Sequence, residues 1–219
     1  MTMRFSNRTE AGKLLAQKLK AYANLSDVIV LALPRGGVPV GFEIAKELNI
    51  PFDVCVVRKL GIPHHKELAM GAIASNGVRV LNYDILSEWN IPDKIIDKVS
   101  AKELRELRRR EHSYRDNRSV INVKNRTVIL VDDGIATGST MRAVIALMRQ
   151  QKPKQIIVAV PVAPKSVCKE LQTEVDKLVC LAMPEPFYAV GLWYDNFPQT
   201  SDEQVHQLLE KSTAMANSA

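Results

Sequence analysis

Short apolar runs that alternate with amphipathic helical stretches are the feature of this sequence that most restricts its fold. Such alternation is typical of βαβ units, which build a mainly parallel sheet covered by helices on both faces. Right-handed crossovers join the strands of such a sheet, so a doubly wound open α/β sheet is the simplest assembly. We expect strands at residues 28–33, 53–57, 127–131, 156–160 and 177–182, and helices at residues 7–23, 39–48, 140–151, 165–173 and 201–211.

Three segments elaborate this alternating pattern. Residues 61–81 combine a polar loop with a hairpin signal, residues 92–118 are predicted to form one long charged helix, and residues 183–211 form an aromatic tail with the last helix. A length of 219 residues fits one elaborated α/β domain or at most two small domains. Because the chain shows no internal repeat or low-complexity linker, we expect a single domain over residues 1–219.

The cysteines and the N-terminal residues indicate a reducing compartment. Cys55, Cys168 and Cys180 are scattered and odd in number, which is typical of small buried side chains and not of a disulfide framework. No signal-peptide pattern opens the sequence, and no apolar run approaches the ~20 residues that a membrane span needs. We therefore expect a cytoplasmic protein without a membrane partner. Its net charge of +6 would attract an anionic ligand.

The segment from Val128 to Thr140 carries the strongest chemical signal in the chain. Four apolar residues end in two adjacent carboxylates, Asp132 and Asp133, and a glycine-containing loop then leads into a helix. Backbone N–H groups at a helix N-terminus are unpaired, and the helix dipole favours negative charge there. The loop is therefore predicted to bind an anion. Further donors come from the hydroxyl groups of Thr137, Ser139 and Thr140.

The two carboxylates indicate what kind of anion this would be. A phosphate alone would be repelled by Asp132 and Asp133, whereas a phosphorylated sugar also offers hydroxyl groups and can bring a metal ion. The segment lacks the Gly-Lys-Ser/Thr of a Walker A loop and the Gly-x-Gly-x-x-Gly of a dinucleotide fingerprint. The competing interpretation is a plain strand–turn–helix in which an aspartate caps the helix.

The sequence Asp-Asp-Gly-Ile-Ala-Thr-Gly-Ser-Thr after an apolar strand resembles the motif with which type I phosphoribosyltransferases bind phosphoribosyl pyrophosphate (PRPP). The resemblance implies a doubly wound, mainly parallel α/β fold with a C-terminal hood, here residues 183–211, and an inserted helix, here residues 92–118. It also implies that Asp132 and Asp133 are catalytic residues. They would bind the two ribose hydroxyls and help to hold Mg²⁺. The residues implied in binding the 5-phosphate are Ile135, Ala136, Thr137, Gly138, Ser139 and Thr140.

A second part of the resemblance is Leu33-Pro-Arg-Gly-Gly37, which is similar to the diphosphate loop of the family. It implies that Arg35, Gly36 and Gly37 contact the diphosphate, and that the peptide bond entering Arg35 is cis. By itself the sequence Pro-Arg-Gly-Gly is more often just a turn. Lys59, which follows the next strand, resembles a basic residue of the family that also contacts diphosphate.

Residues 61–81 correspond to the mobile catalytic loop of the family. His64, or its neighbour His65, could reach the diphosphate when this loop closes. A solvated loop is the competing interpretation for this histidine pair. A metal site is not favoured, because no carboxylate or cysteine stands at ligand spacing from the histidines.

The aromatic tail resembles the hood that covers the nucleobase in purine-type members of the family. By that resemblance Tyr188 stacks on the base, the backbone of Ala189 reads its edge, and Asp195 helps to hold the metal. The alternative is that Phe187, Tyr188 and Trp193 close an ordinary core, since most aromatic side chains serve packing.

Two departures from the family limit the functional prediction. Hypoxanthine-guanine enzymes carry an acidic residue where this chain has Ala136, which counts against a 6-oxopurine acceptor. Residues 92–118 contain six arginines among glutamates, a pattern typical of a solvated helix, with a lid or a nucleic-acid surface as the alternative.

We therefore predict a Mg²⁺-dependent phosphoribosyltransferase, a pentosyl transferase similar to the enzymes of nucleotide salvage. It would move the phosphoribosyl group of PRPP to a small nitrogenous base and release diphosphate. The alternative is a regulatory protein of the same fold that senses PRPP or nucleotides and binds RNA or DNA. For the enzyme, nucleic acid is not an expected partner, and a homodimer is one expected assembly.

Overall fold

The structure of this chain, a computed structural model, describes residues 4–63, 65–74, 77–115 and 121–216. Within them lie eight strands, seven α-helices and two short 3₁₀ helices, at Lys20–Tyr22 and Val190–Trp193. In chain order the main elements are α1 (Arg8–Lys18), β1 (Val28–Ala32), α2 (Gly37–Leu48), β2 (Phe52–Val54), β3 (Val57–Ile62), β4 (His65–Ala74), β5 (Arg79–Leu81), α3 (Tyr83–Glu88), α4 (Asp93–Arg115), β6 (Thr127–Val131), α5 (Ser139–Gln150), β7 (Gln155–Val162), α6 (Lys165–Glu174), β8 (Lys177–Ala182) and α7 (Asp202–Ala216).

The main sheet has five parallel strands in the order β2-β1-β6-β7-β8. Every residue of β1 and of β6 is buried, because helices cover both faces of the sheet. One apolar layer packs with α1, α2, α4 and α7, and the other packs with α5 and α6. The predicted doubly wound, mainly parallel α/β fold is confirmed.

A second, antiparallel sheet of β3, β4 and β5 corrects the prediction for residues 61–66. The sequence predicts a polar loop there, yet Gly61 and Ile62 end β3 and His65 begins β4. The strands are stable because the side chains of Leu60, Ile62 and Met70 are buried in the core. Polar residues near the tip of the hairpin make these apolar positions hard to recognise in the sequence. The hairpin signal at Asn76-Gly77 is confirmed, since β4 and β5 pair antiparallel on its two sides.

Several element boundaries differ from the predicted ones. The strand expected at residues 53–57 is divided into β2 and β3, and helix α3 is an addition to the predicted elements. Helix α2 begins at Gly37, two residues early, and α5 begins at Ser139. Helix α7 continues to Ala216, beyond its predicted end at residue 211. The predicted long helix is α4, and residues 116–118 of that prediction lie outside the described residues.

The three cysteines are all free thiols; Cys55 and Cys168 are buried, and Cys180 is partly buried. In the part of the chain that the structure describes, no helix combines the length and the apolar character needed to span a membrane.

Candidate functional site

Two loops meet at the carboxyl edge of the main sheet. Strands β1 and β6 are parallel neighbours with Ala32 opposite Val131, so the chain leaves both strands at the same level. The Leu33 N–H donates to the Val131 carbonyl over 2.8 Å, which extends this pairing by one residue. The loop that contains Arg35 therefore runs beside the loop that begins with Asp132.

The approach of these two loops requires residues without side chains. A Cβ atom on Gly36 would lie 2.0 Å from Oδ2 of Asp133, and one on Gly37 would lie 2.8 Å from Cα of Asp132. Both distances are far below van der Waals contact, so the two glycines permit the approach. The Gly37 N–H donates to the Leu33 carbonyl over 3.1 Å, so this amide already has a partner within the chain.

The Arg35 part of the first loop agrees with the resemblance in its backbone. The peptide bond between Pro34 and Arg35 is cis, as the family resemblance implies. The Arg35 guanidinium lies at the surface, with Nη1 3.8 Å from Oδ1 of Asp202 at the start of α7. Its side chain is 36% exposed, which leaves it accessible to a ligand.

Asp133 is held by Arg8, a residue that no sequence motif indicates. Nε and Nη2 of Arg8 lie 2.9 and 2.7 Å from Oδ2 of Asp133. The Arg8 side chain is only 10% exposed and that of Asp133 only 14%. The ion pair is therefore nearly buried, where solvent screens it little.

The C-terminal segment completes the support of Asp133. The Arg8 guanidinium carbon lies 3.8 Å from the centroid of the Phe197 ring, and its Nη1 donates to the Pro198 carbonyl over 2.7 Å. The Tyr194 hydroxyl donates to the backbone carbonyl of Asp133 over 2.6 Å. Burial raises the pKa of Tyr194, so its hydroxyl remains a donor at neutral pH. The hood, helix α1 and the Asp-Asp loop thus meet at one carboxylate.

Asp132 is the more readily protonated of the two carboxylates. Burial raises the pKa of Asp132 well above its usual range, and the neighbouring charge of Asp133 adds to this effect. Burial also raises the pKa of Asp133, but the positive charge of Arg8 opposes that shift. The pair therefore disfavours double ionisation in the free protein. A ligand that donates hydrogen bonds or carries positive charge would favour the charged form.

The loop after the carboxylates presents an open helix N-terminus. Gly138 adopts a left-handed conformation with φ +77° and leads directly into α5. Around it Ala136, Thr137, Ser139 and Thr140 are all exposed, so an anion could reach this turn from solvent. The Thr137 and Ser139 hydroxyl oxygens lie 3.1 Å apart, so two side-chain donors converge beside the N–H groups of the first turn.

Ile135, at the start of that loop, packs in the core and does not face the open helix N-terminus. Its side chain is 4% exposed, and its N–H donates to the Val162 carbonyl over 2.9 Å. Neither group faces the open end of the loop. The exposed residues of the predicted phosphate site are therefore Ala136, Thr137, Ser139 and Thr140.

Two of the basic and histidine candidates, Lys59 and His65, lie on the second sheet. Lys59 is exposed on β3, while Arg58 next to it forms an ion pair with Glu103 of α4, with Nη2 2.6 Å from Oε2. His64 lies outside the described residues. His65 is exposed on β4, with its ring centroid 4.8 Å from that of Trp89.

The two hood residues that the resemblance implies in base binding are both exposed. Tyr188 is 79% exposed, and Ala189 is exposed beside it. Phe187 and Trp193 stack with centroids 6.5 Å apart and pack against a small core around Phe5, which favours the packing alternative for these two rings. The hood also contacts the motif directly, because Val190 fills the space where Gly134 would carry a Cβ.

Asp195 is turned towards a different partner from the one that the resemblance implies. Its Oδ1 lies 3.2 Å from Nε of Arg4, and its side chain is 63% exposed. No cluster of three or more His, Cys, Asp or Glu side chains that could hold a metal ion occurs within the described residues. Asp132, Asp133 and Asp195 are therefore not arranged as three ligands of one metal ion.

Comparisons with known proteins agree with this geometry. A family model described as a phosphoribosyl transferase domain matches residues 7–190. Two proteins from strains of Mycobacterium tuberculosis, both provisionally named phosphoribosyl transferases, are 45% identical over 208 residues, which is 95% of this chain and 47% of theirs. The chain thus spans about half the length of these relatives.

Solved structures show the same fold. The crystal structure of the protein TT1426 from Thermus thermophilus has a TM-score of 0.86 and 38% identity, covering 95% of this chain and 99% of that one. A hypoxanthine phosphoribosyltransferase from Staphylococcus aureus has a TM-score of 0.50 at 11% identity, covering 93% and 92%, which shows the fold alone. Together with the match of the family model over residues 7–190, these findings establish that the chain belongs to the phosphoribosyl transferase family.

Proposed function

We propose that this chain transfers the 5-phosphoribosyl group of PRPP to a nitrogenous base and releases diphosphate, as a cytoplasmic enzyme. The observation that carries the proposal is the approach of the Arg35–Gly37 loop to Asp133 at the carboxyl edge of β1 and β6. Two adjacent carboxylates thereby lie between a basic loop and an exposed helix N-terminus. A phosphorylated ribose that carries a diphosphate presents groups that complement all three features.

The 5-phosphate would bind at residues 136–140, where the N–H groups of the first turn of α5 and the nearby hydroxyls supply donors. Asp132 and Asp133 would accept hydrogen bonds from the ribose hydroxyls. Because the pKa of Asp132 is raised by burial, ribose hydroxyls that donate to it would favour its charged form.

Arg35 and Lys59 are the accessible cations that we assign to the diphosphate, together with the backbone at Gly36 and with His64. Gly37 would contribute its small size, since its amide is already bonded to Leu33. We assign the base to Tyr188 and Ala189 at the exposed part of the hood.

In the reaction the bond between the anomeric carbon and the diphosphate oxygen breaks, and a bond to the acceptor nitrogen forms. Positive charge develops on the ribose ring as the diphosphate leaves. The carboxylates of Asp132 and Asp133 would stabilise that charge, and Arg35 with Lys59 would stabilise the leaving group. Closure of the 61–81 hairpin over the site would exclude water and so limit hydrolysis.

Two carboxylates with oxygen donors fit Mg²⁺, which prefers few protein ligands and keeps several waters and substrate phosphates. Asp132 and Asp133 would hold the ion through such waters, and Asp195 could join only if its contact with Arg4 were broken. When bound, the metal would neutralise charge on the diphosphate.

The decisive experiment measures diphosphate release from PRPP and Mg²⁺ with adenine, guanine, hypoxanthine, xanthine, uracil or orotate. We expect one base to give turnover that Asp132→Asn lowers by at least about 100-fold, in line with the loss of one electrostatic stabiliser. Asp27→Asn is the matched control, because Asp27 pairs with Lys154 at the opposite edge of the sheet. Calorimetric binding of PRPP without turnover on any base would refute the transferase and support the regulatory alternative.

A further inference from the structure

One face of helix α4 carries an uninterrupted stripe of positive charge that the proposed reaction does not use. The stripe consists of Lys94, Lys98, Lys102, Arg105 and Arg109, all of them exposed. At 3.6 residues per turn these five positions fall within an arc of about 80°. With a rise of 1.5 Å per residue, the stripe is about 22 Å long.

The opposite face of α4 fixes the direction of the stripe. Ile96, Leu107 and Tyr114 are 3% exposed or less and join the core of the domain. Tyr114 also donates its hydroxyl to Oδ1 of Asp202 over 2.7 Å, which ties α4 to α7. The basic stripe therefore points away from the domain, into solvent.

Two acidic side chains of α4 are engaged away from the stripe, and a third pairs with its last cation. Glu103 pairs with Arg58 of β3 and Asp97 with Arg79 of β5. Arg109 has Glu106 at 3.3 Å. Among the described residues, Lys94, Lys98, Lys102 and Arg105 have no carboxylate at ion-pair distance.

Repulsion between neighbouring charges of the stripe destabilises helix α4 when nothing is bound to it. Lys94, Lys98 and Lys102 follow each other at i,i+4 intervals, and Arg105 and Arg109 repeat that spacing. Like charges at this interval destabilise a helix, whereas an ordinary solvated helix pairs opposite charges there. A polyanion bound along the stripe would reverse this repulsion.

A groove borders the stripe and adds an apolar surface. Its volume is about 700 Å³, and it lies between α4 and the β3–β4 hairpin. Lys98, Lys102 and Arg105 line one side together with the carboxylates of Glu103 and Glu106, and Ile62, Pro63 and Val99 supply apolar atoms. Phosphates on the stripe would thus place attached planar groups against this groove.

We propose that this face of α4 binds single-stranded nucleic acid, with the phosphodiester backbone on the stripe and unstacked bases against the groove. Charge complementarity supplies the affinity, and no base-specific contact is implied. This partner differs from the sequence-based expectation, which does not include nucleic acid for the enzyme. The groove shares Lys59 with the candidate PRPP site, but the stripe itself lies outside that site and does not depend on turnover.

The test is fluorescence anisotropy with labelled single-stranded RNA and DNA oligonucleotides, titrated between about 50 and 200 mM salt. If all five cations meet phosphates, the slope of log affinity against log salt is about −3.5, a loss of about 100-fold over this range. Removing two cations in Lys98→Gln/Lys102→Gln should reduce the slope to about −2, or a loss of about 20-fold.

The matched control is Lys13→Gln/Lys20→Gln, which removes the same charge from exposed positions on the α1 side. Unchanged binding in this control, with weakened binding in the α4 variant, supports the proposal. Equal effects of the two variants would overturn it, because binding would then follow net charge alone. It would also be overturned by stripe-dependent binding to phosphatidylserine vesicles without binding to either oligonucleotide.

Discussion

Replacing Arg8 with alanine tests whether the buried ion pair organises the candidate site. Arg8 holds Oδ2 of Asp133 through two nitrogens at 2.9 and 2.7 Å, stacks on Phe197 and donates to the Pro198 carbonyl. In Arg8→Ala all of these contacts are lost together. Asp133 would keep its burial without its counter-charge.

The expected cost follows from that burial. Removing one partner of a buried ion pair costs about 3–5 kcal/mol, because the remaining charge is left uncompensated. For a chain of this size each kcal/mol lowers the melting temperature by about 2–4 °C, so a cost of about 3–5 kcal/mol corresponds to a decrease of roughly 6–20 °C. Lys154→Ala breaks the pair between Lys154 and Asp27, whose side chains are 64% and 45% exposed, and should leave the melting temperature nearly unchanged because solvent screens this pair.

The assay is urea unfolding of both variants across a pH series, because the cost of Arg8→Ala should depend on pH in a defined direction. Arg8 lowers the pKa of Asp133, opposing the rise caused by burial. The ion pair thus stabilises the fold above the pKa of folded Asp133, and this contribution is lost as pH falls through it. The difference between wild type and Arg8→Ala should therefore shrink at acid pH.

A cost that is small and constant with pH would refute the reasoning, since it would mean that Asp133 is already neutral or well solvated. The double variant Arg8→Met/Asp133→Asn provides a further check. It should recover part of the lost stability, because it removes the unpaired charge along with its partner.

Two further changes probe the same pair of loops. Asp132→Asn should stabilise the fold by on the order of 1 kcal/mol at pH 7.5. Burial raises the pKa of Asp132, so ionisation opposes folding above the unfolded value of about 3.9, and the gain should vanish in melts below that pH. Gly36→Ala places a Cβ 2.0 Å from Oδ2 of Asp133, so urea unfolding should show a loss of about 1–3 kcal/mol. Calorimetry should also show weaker binding of ribose 5-phosphate to this variant, and unchanged stability would contradict the packing described here.

The parts of the fold that could be predicted from the sequence depend on local patterns. All residues of β1 and β6 except Thr127 are apolar, and all of them are buried. Short continuous apolar runs of this kind are typical of central strands in a parallel sheet. Since parallel neighbours end at one edge of the sheet, the meeting of the Arg35 and Asp132 loops follows once the two strands are placed side by side. The structure adds the closeness of that meeting, which leaves no room for a side chain at Gly36.

The second sheet could not be predicted in the same way. Leu60 and Ile62 are buried at alternate positions of β3. Near the tip, however, Pro63, His65 and Lys66 are residues typical of a loop. The strands are stable because Leu60 and Met70 pack into a core that includes α4, which lies more than 20 residues later in the chain. Only the tertiary contact distinguishes this hairpin from a free loop. Whether residues 61–81 also move over the site stays a prediction.

Arg8 could not be identified along the chain, because it lies 125 positions from Asp133 and belongs to no motif. On α1 it resembles any charged residue near a helix start, and only its burial against Phe197 sets it apart. This placement has a functional consequence. Tyr194 binds the backbone of Asp133, and Arg8 binds both the Asp133 side chain and the Pro198 carbonyl. The hood and Asp133 are thereby one connected unit, so, if Asp133 binds ribose as proposed, a substitution in the hood that shifts Tyr194 should alter PRPP binding as well as the choice of base.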